Sequence, residues 1–148
     1  RPGTSRLSPR LAAIVAALPL RPGLRVLEIG CGPGAAARAV ARLVGDGWVL
    51  GIDRSRRAIA QALAGSAAEM ATGRLAFRCV PIEAFTLESG QPPFDLAFAV
   101  RVGALDGRHP RAGLLARQRI AAALAHDGRL WVDDGPVVPR AALLAGPG

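Results

Sequence analysis

The sequence predicts an α/β fold, a three-layer sandwich in which a mostly parallel sheet of about five strands has helices on both faces. Short apolar runs that are typical of buried strands alternate along the chain with longer helical patterns. Such alternation favours parallel strands joined by helices. The length of 148 residues suits one domain, so residues 1–148 are predicted to form a single domain.

The N-terminal segment is predicted to be a helix over residues 9–18. Ser8 is a suitable N-cap and Pro9 occupies the first helical position, where a missing N–H has no cost. The apolar run behind an arginine could also mimic a signal peptide. Because it leads directly into the first strand, the helix is the favoured interpretation. The chain does not begin with Met, which suggests that its natural N-terminus is missing or trimmed.

The middle of the chain reads as two strand–helix units followed by a third strand. The predicted elements are a strand over residues 25–29, a helix over 35–44, a strand over 48–52, a helix over 56–63 that could reach 70, and a strand over 75–80. Ser55 is the expected cap of the second of these helices, and Gly73 ends it.

The C-terminal half is less regular. After one helical turn near residues 83–85, the pattern predicts a strand over 95–100, a helix over 111–125 and a strand over 129–133. His126 would cap the end of that helix. Residues 135–148 are rich in glycine and proline, and we expect an irregular tail there.

A glycine-rich turn at residues 30–34 follows the first strand, and Asp53 follows the second. Glycines let the backbone approach a ligand closely, and an acid here can accept both hydroxyls of a ribose. Gly30, Gly32 and Ala35 satisfy the dinucleotide fingerprint G-x-G-x-x-G/A. An adenosine-bearing cofactor is therefore expected at this turn, and the glycines alone leave its identity open.

Glu28 separates the two kinds of cofactor. A dinucleotide presents a pyrophosphate to the helix that follows the turn, and a nearby carboxylate would repel that anion. S-adenosylmethionine has no phosphate and carries an ammonium and a sulfonium, which an acid attracts. The segment from Val26 to Gly34, with the acid two residues ahead of the glycines, resembles the first motif of the class I S-adenosylmethionine-dependent methyltransferases, whose fold is Rossmann-like.

The resemblance covers residues 24–134. Beyond the first motif, it includes residues 51–53, 80–84, 94–100 and 128–132. It implies that S-adenosylmethionine is the cofactor. It also implies a cofactor-binding set: Glu28 near the ammonium, Gly30, Cys31, Gly32 and Gly34 around the methionine part, Asp53 on the ribose, Arg54, Ile82 and Glu83 at the adenine, and Val100 and Arg101 across the crevice.

Several of these residues also have plain structural roles. Glu28 could cap the turn, Asp53 could cap the following helix, and Arg54 could be a solvated surface charge. Many family members place an Asp at the position of Ile82. Glu83 could replace it as the contact to the adenine amino group or could simply be an acid at a helix start.

The loop after the fourth strand is where the resemblance implies an acceptor. Asp106 and His109 are the candidate catalytic residues, with His109 as base and Asp106 orienting it. The favoured alternative is a turn at Asp106-Gly107 ahead of a helix. Asp133 and Asp134, at the end of the fifth strand, are a third option for the base.

Composition excludes several function classes. The formal net charge is +8 and every basic residue is an Arg, but the arginines are scattered and only 4% of residues are aromatic, which disfavours nucleic-acid binding. No segment is long enough to span a membrane. The two histidines and the scattered acids lack metal-ligand spacing. Cys31 and Cys79 are expected to be reduced cysteines in a cytoplasmic protein, although a helix N-terminus could lower the pKa of Cys31.

The family sheet usually has seven strands, and only 14 residues follow Asp134. No hairpin and helix are expected to fit there. The fifth strand would then be an exposed edge, and a homodimer covering it is the prediction. The alternative is that the tail folds over this edge.

The favoured function is methyl transfer from S-adenosylmethionine to a small-molecule acceptor. A nucleic-acid or protein methyltransferase is the second hypothesis, although residues 99–102 contain no Asn-Pro-Pro-Tyr-like motif. The third hypothesis is a cofactor-binding domain without transferase activity. The short length supports it, because no dedicated substrate-recognition domain is evident.

Overall fold

One six-stranded sheet organises the fold. The computed structural model describes residues 6–105, 107–133 and 135–145. The strands are β1 (Arg25–Ile29), β2 (Trp48–Asp53), β3 (Leu75–Cys79), β4 (Phe94–Ala99), β5 (Leu124–Val132) and β6 (Val137–Pro139). Their order in the sheet is β3-β2-β1-β4-β5-β6. All neighbours pair in parallel except β5 and β6, which are antiparallel.

The helices connect the strands as the sequence pattern predicts. They are α1 (Pro9–Ala17), α2 (Ala35–Leu43), α3 (Arg56–Gly65), α4 (Ala67–Ala71), α5 (Pro110–Ala123) and α6 (Arg140–Leu144). Two short 3-10 helices lie at Ile82–Ala84 and Gly103–Leu105. Both predicted N-caps are confirmed, because the side chains of Ser8 and Ser55 accept hydrogen bonds from the backbone N–H groups three residues later.

The sheet is buried between two hydrophobic cores. Alternate residues of a strand point to opposite faces, so Val26 and Leu27 enter different cores. Leu27 packs in the core that contains α5 and Leu143 of α6, whereas Val26 packs in the core that contains α1 and α2. The predicted three-layer α/β sandwich is confirmed.

The C-terminal tail corrects the prediction of an irregular segment. Residues 137–139 form β6, which pairs with β5, and the next five residues form α6. Leu143 is only 4% exposed, because it packs into the core beside α5. The expectation that no hairpin and helix could fit was wrong, because both elements are very short. The edge of β5 is therefore covered by the tail of the same chain. This was the alternative to the predicted homodimer, in which a second copy would cover that edge.

The junction between α5 and β5 also differs from the prediction. The helix ends at Ala123 and the strand begins at once at Leu124, so His126 lies in β5 instead of capping a helix. Gly128 sits where a Cβ would lie 3.0 Å from the Phe94 carbonyl oxygen, and the register of β4 and β5 shifts there. The glycine thus marks a bulge in a strand, a local signal that is easily mistaken for a turn.

Among the helices that the structure describes, each is too short or too polar to cross a bilayer.

Candidate functional site

A cleft of about 490 Å³ opens at the edge of the sheet where the parallel strands end. This is the edge where open α/β sheets bind ligands, and the volume lies in the range of small-molecule sites. The predicted site residues that line it are Gly30, Asp53, Arg54, Ile82, Glu83, Val100, Arg101 and His109.

The glycine turn forms one wall of the cleft at the end of β1. Gly30, Gly32 and Gly34 have φ values of +71°, +53° and +91°, which side chains rarely adopt. A Cβ on Gly30 would lie 2.8 Å from Cγ2 of Val102, so a larger residue would collide with the segment after β4. The N–H groups of Gly30 and Cys31 both donate to the Ile52 carbonyl, at 2.8 and 2.9 Å. The turn is therefore held against the end of β2.

Asp53 links the glycine turn to the start of α3. Its Oδ2 accepts the N–H of Gly32 at 2.9 Å, and its Oδ1 accepts the N–H of Ser55 at 2.9 Å. The bond to Ser55 matches the plain helix-start role, whereas the bond to Gly32 was not expected from the sequence. Each carboxylate oxygen can accept a further hydrogen bond. Because Asp53 is only half-buried and lines the cleft, its carboxylate can still accept hydroxyl groups of a ligand.

Glu28 lies behind the glycine turn and does not line the cleft. It is 3% exposed and lies beside the start of α2, near the backbone N–H of Ala37 and the buried guanidinium of Arg38. Burial raises the pKa of Glu28 well above its ordinary value, the Asp53 carboxylate adds to the rise, and Ala37 and Arg38 oppose it. The Oε1 atom is buried without a hydrogen-bond partner.

Arg38 ties the glycine turn to α4. Its guanidinium donates to the Pro33 carbonyl and to the Ser66 hydroxyl, each at 2.9 Å. Arg38 is 4% exposed, and sequence periodicity gave no sign that a buried charge would support the turn. A buried arginine needs such acceptors.

The two cysteines are separate thiols. Burial and the nearby carboxylates of Glu28 and Asp53 raise the pKa of Cys31, so the idea that the helix N-terminus lowers it was wrong. Cys31 is buried and Gly32 is partly buried, and neither is among the residues that line the cleft. The same holds for Gly34, where a Cβ would crowd Phe77, Arg38 and Ala62. Cys79 is exposed, and its thiol donates to the Arg54 carbonyl at 3.6 Å.

The opposite wall comes from the segment after β3. Ile82 is 3% exposed and packs in the same core as α5, whereas Glu83 is half-buried at the cleft. The Glu83 carbonyl accepts a hydrogen bond from Nε of Arg119 at 3.3 Å, which anchors this segment to α5. Arg54 is exposed at the rim.

The third wall follows β4. Arg101 has a φ of +56°, and its backbone N–H donates to Oδ1 of Asp133 at 2.8 Å. His109 lines the cleft at the start of α5. The structure places Asp133 under this wall and not among the lining residues, which speaks against its use as the base. Asp106 and Asp134 lie outside the described residues. The lining residues that sequence reasoning did not single out include Val102, Gly103, Ala104 and Ala112.

Metal-ligating side chains are dispersed in the described parts of the chain. No group of three or more His, Cys, Asp or Glu side chains there could hold a metal ion.

Solved structures with similar folds are numerous. The [4+2]-cyclase SpnF is 28% identical with a TM-score of 0.65, over 82% of this chain and 42% of that chain. An S-adenosylmethionine-dependent methyltransferase from Thiobacillus denitrificans, solved with S-adenosylhomocysteine, is 25% identical with a TM-score of 0.66, over 85% and 48%. This chain thus spans less than half the length of each. Among curated proteins, none matches the sequence.

The family comparison agrees with the fold and with the first motif. The family described as "Methyltransferase domain" matches residues 26–128, which run from β1 into β5. This range includes the glycine turn, Asp53 and all the residues that line the cleft. The chain therefore belongs to this methyltransferase family, of the class I S-adenosylmethionine-dependent type.

Proposed function

We propose that this protein transfers the methyl group of S-adenosylmethionine to a small-molecule acceptor. The observation that carries the proposal is one continuous cleft that joins the Asp53 carboxylate, the glycine at position 30 and the loop after β4. The similar methyltransferase from Thiobacillus denitrificans was solved with S-adenosylhomocysteine, which supports the same cofactor here.

The proposed cofactor contacts follow the walls of the cleft. The Asp53 carboxylate would accept the ribose hydroxyls, while Arg54, Ile82 and Glu83 would border the adenine. The backbone at Gly30 would lie under the methionine part, and Val100 and Arg101 would border the end near the sulfur. The contacts proposed for Cys31, Gly32 and Gly34 would be made by the backbone of the turn.

Glu28 would act on the cofactor from behind the turn. Its carboxyl group is buried beside the start of α2, so we propose that the bound ammonium favours the ionised form of Glu28 and is attracted by it, directly or through a water molecule. The unpartnered Oε1 atom supports this role, because a buried acceptor without a donor is costly unless a ligand or water satisfies it.

Methyl transfer is a displacement at the sulfonium methyl, and bound S-adenosylmethionine supplies the electrophile. The chain has to hold the acceptor in line and exclude water. His109 lines the cleft and is the candidate base for an acceptor that carries a proton. Asp106 is proposed to orient it and lies outside the described residues.

A small acceptor fits the charge of the cleft better than a nucleic acid does. The lining residues include two acids, Asp53 and Glu83, and two arginines, Arg54 and Arg101, so both signs of charge are present. A nucleic-acid groove would instead present a continuous basic surface.

Calorimetry tests the cofactor. We expect S-adenosylmethionine and S-adenosylhomocysteine to bind and NAD not to bind. Asp53→Ala should weaken S-adenosylhomocysteine by about 1–3 kcal/mol, the usual cost of losing a charged hydrogen-bond acceptor. Asp46→Ala is the matched control, because Asp46 is exposed in the turn before β2, at the opposite end of that strand. Binding of NAD alone, or equal affinities for the two variants, would contradict the cofactor assignment.

Transfer itself needs a separate assay. Transfer of a labelled methyl group to a panel of small hydroxyl, amine and thiol acceptors tests the activity. Tight cofactor binding with no transfer to any acceptor would favour a binding domain without transferase activity. The transfer assay is needed because one similar structure is that of a [4+2]-cyclase.

A cytoplasmic location and a homodimer are also proposals. The location is supported by two cysteines that form no disulfide. The open β5 edge that suggested the homodimer is covered by β6, so a dimer that pairs sheet edges would have to use β3 or β6, the two outer strands. Sedimentation velocity at several protein concentrations tests the oligomeric state.

A further inference from the structure

Arg101 occupies an unusual position at the end of β4. It lines the cleft, is exposed, and adopts a left-handed φ of +56°. Residues other than glycine rarely adopt this conformation, and it persists only where the surroundings impose it. Here the backbone N–H donates to Oδ1 of Asp133, and the N–H of Asp133 donates to the Ala99 carbonyl, both at 2.8 Å. The ends of β4 and β5 therefore hold Arg101 in this position.

The guanidinium of Arg101 has no partner of its own in the part of the chain that the structure describes. The ion pairs found there join Arg42 to Glu69 and Arg78 to Glu88, and the hydrogen bond of Arg101 is made by its backbone. An arginine whose backbone is locked and whose charge is unpaired at a cleft wall is suited to bind an anion.

The position of Arg101 separates it from the proposed adenosine contacts. In the sheet, β1 lies between β2 and β4, so Asp53 and Arg101 end strands on opposite sides of the glycine turn. Val102, the next residue, packs directly over Gly30. Beyond it, the cleft is lined by Gly103, Ala104 and His109. That end of the cleft adjoins the expected position of the transferable methyl group.

We propose that Arg101 is a specificity-determining residue that binds an anionic group, such as a carboxylate, on the methyl acceptor. The inference rests on the proposed function, since it needs a cofactor in the other half of the cleft. His109 adds a second potential donor on the same side, and Asp133 acts as the positioning residue that holds Arg101 at the wall.

The test uses pairs of small probes that differ only in charge. The protein is saturated with S-adenosylhomocysteine and titrated calorimetrically with acetate, benzoate and 4-hydroxybenzoate, each compared with its carboxamide. We expect at least one acid to bind at least about tenfold more tightly than its amide, as for a charge-assisted hydrogen bond. Arg101→Gln should remove that preference and weaken S-adenosylhomocysteine far less than it weakens the acid, because Arg101 borders only the sulfur end of the proposed cofactor site.

Arg21→Gln is the matched control. It removes an equal charge from an exposed residue in the turn before β1, at the opposite edge of the sheet, and should keep the preference. Arg101→Lys should retain part of it, since the charge remains while the planar pair of donors is lost.

Several results would overturn the proposal. One is that no acid binds better than its amide to the loaded protein. A second is that Arg101→Gln leaves the preference intact. A third is that this variant weakens S-adenosylhomocysteine as strongly as the acid, which would assign the guanidinium to the carboxylate of the cofactor. Failure of the unmodified protein to bind S-adenosylhomocysteine at all would instead refute the proposed function, and that measurement is made first.

Discussion

The carboxylate of Asp133 accepts the backbone N–H of Arg101 at 2.8 Å, and both residues have left-handed φ values, +53° and +56°. Asp133 is further held by its own N–H, which donates to Ala99, and by its carbonyl, which accepts the indole N–H of Trp131 at 2.9 Å. Two adjacent strands are therefore followed by residues in strained conformations, and a hydrogen bond joins these two residues. One consequence is that the wall of the cleft at β4 depends on a residue of β5 that does not line it.

Substitution of Asp133 tests this support. Asp133→Ala should lower the free energy of unfolding by about 1–2 kcal/mol, because it removes an acceptor and leaves alanine in a left-handed conformation. Asp133→Asn keeps an oxygen acceptor and a residue type that tolerates this conformation, so it should cost clearly less. Urea unfolding measures both. Equal losses in the two variants would show that the hydrogen bond does not hold the loop.

The glycine turn offers a comparison between strain alone and strain with crowding. Gly32 and Gly34 both have positive φ, but a Cβ on Gly32 meets nothing within 4 Å, whereas a Cβ on Gly34 would lie 3.0–3.2 Å from Phe77, Arg38 and Ala62. Gly32→Ala should cost about 1 kcal/mol of stability, the usual cost of the conformation. Gly34→Ala should cost about 2–3 kcal/mol, because the neighbours must also move. Thermal unfolding checks the order, and a larger loss for Gly32→Ala would contradict it.

Glu28 should make stability fall as the pH rises. Its folded-state pKa lies well above the ordinary value of 4.5, mainly because of burial, so folding favours the protonated form. This contribution is fully present below pH 4.5 and is lost as the pH rises through the folded-state pKa. Glu28→Gln removes the titration, so its stability relative to the unmodified protein should increase with pH.

Urea midpoints of both proteins, measured from about pH 4 to about pH 8, give this difference directly. A difference that is independent of pH would mean that the pKa of Glu28 is the same in the folded and unfolded states. A change in the opposite direction would mean that Arg38 and the Ala37 N–H hold the carboxylate charged. Either result would contradict the expected effect of burial.

The C-terminal helix provides two neighbouring leucines with opposite environments. Leu143 is 4% exposed in the core beside α5, and Leu144 is 58% exposed. Leu143→Ala should cost about 2–4 kcal/mol, through lost burial and the cavity left behind. Leu144→Ala should change stability by less than about 0.5 kcal/mol. Chemical unfolding of the two variants tests whether the tail packs on the sheet, and similar small losses in both would show that it does not.

Much of the fold could be predicted because local signals coincide with the elements. The strand at β1 has the predicted bounds, and the caps Ser8 and Ser55 start their helices as expected. The C-terminal region could not be predicted in the same way. The run of prolines and glycines there suppresses helix and strand patterns, yet Val137 and Val138 pair with the open edge of β5, which provides hydrogen bonds that no local signal reveals.

The site divides in a similar way. Gly30 and Asp53 line the cleft as expected, because glycine turns and strand-end acids mark the ligand-binding edge of a parallel sheet. Glu28 does not line it. Its side chain alternates with those of Leu27 and Ile29, so Glu28 points to the face of the sheet that α2 covers. This alternation and the surrounding packing decide whether an acid near the end of a strand reaches the ligand or the next helix.

The sequence by itself determined the fold class, the family that the first motif resembles, with the cofactor that this family implies, and the positions of the glycine turn and Asp53. These follow from periodicity, backbone freedom and charge within short segments. Only the tertiary structure showed that Arg38 donates a hydrogen bond to the glycine turn, that Asp133 accepts the backbone N–H of Arg101, and that a short tail pairs with β5. The physical reason is that these relationships join residues distant in the chain, which only the packing of strands and helices brings within hydrogen-bond distance.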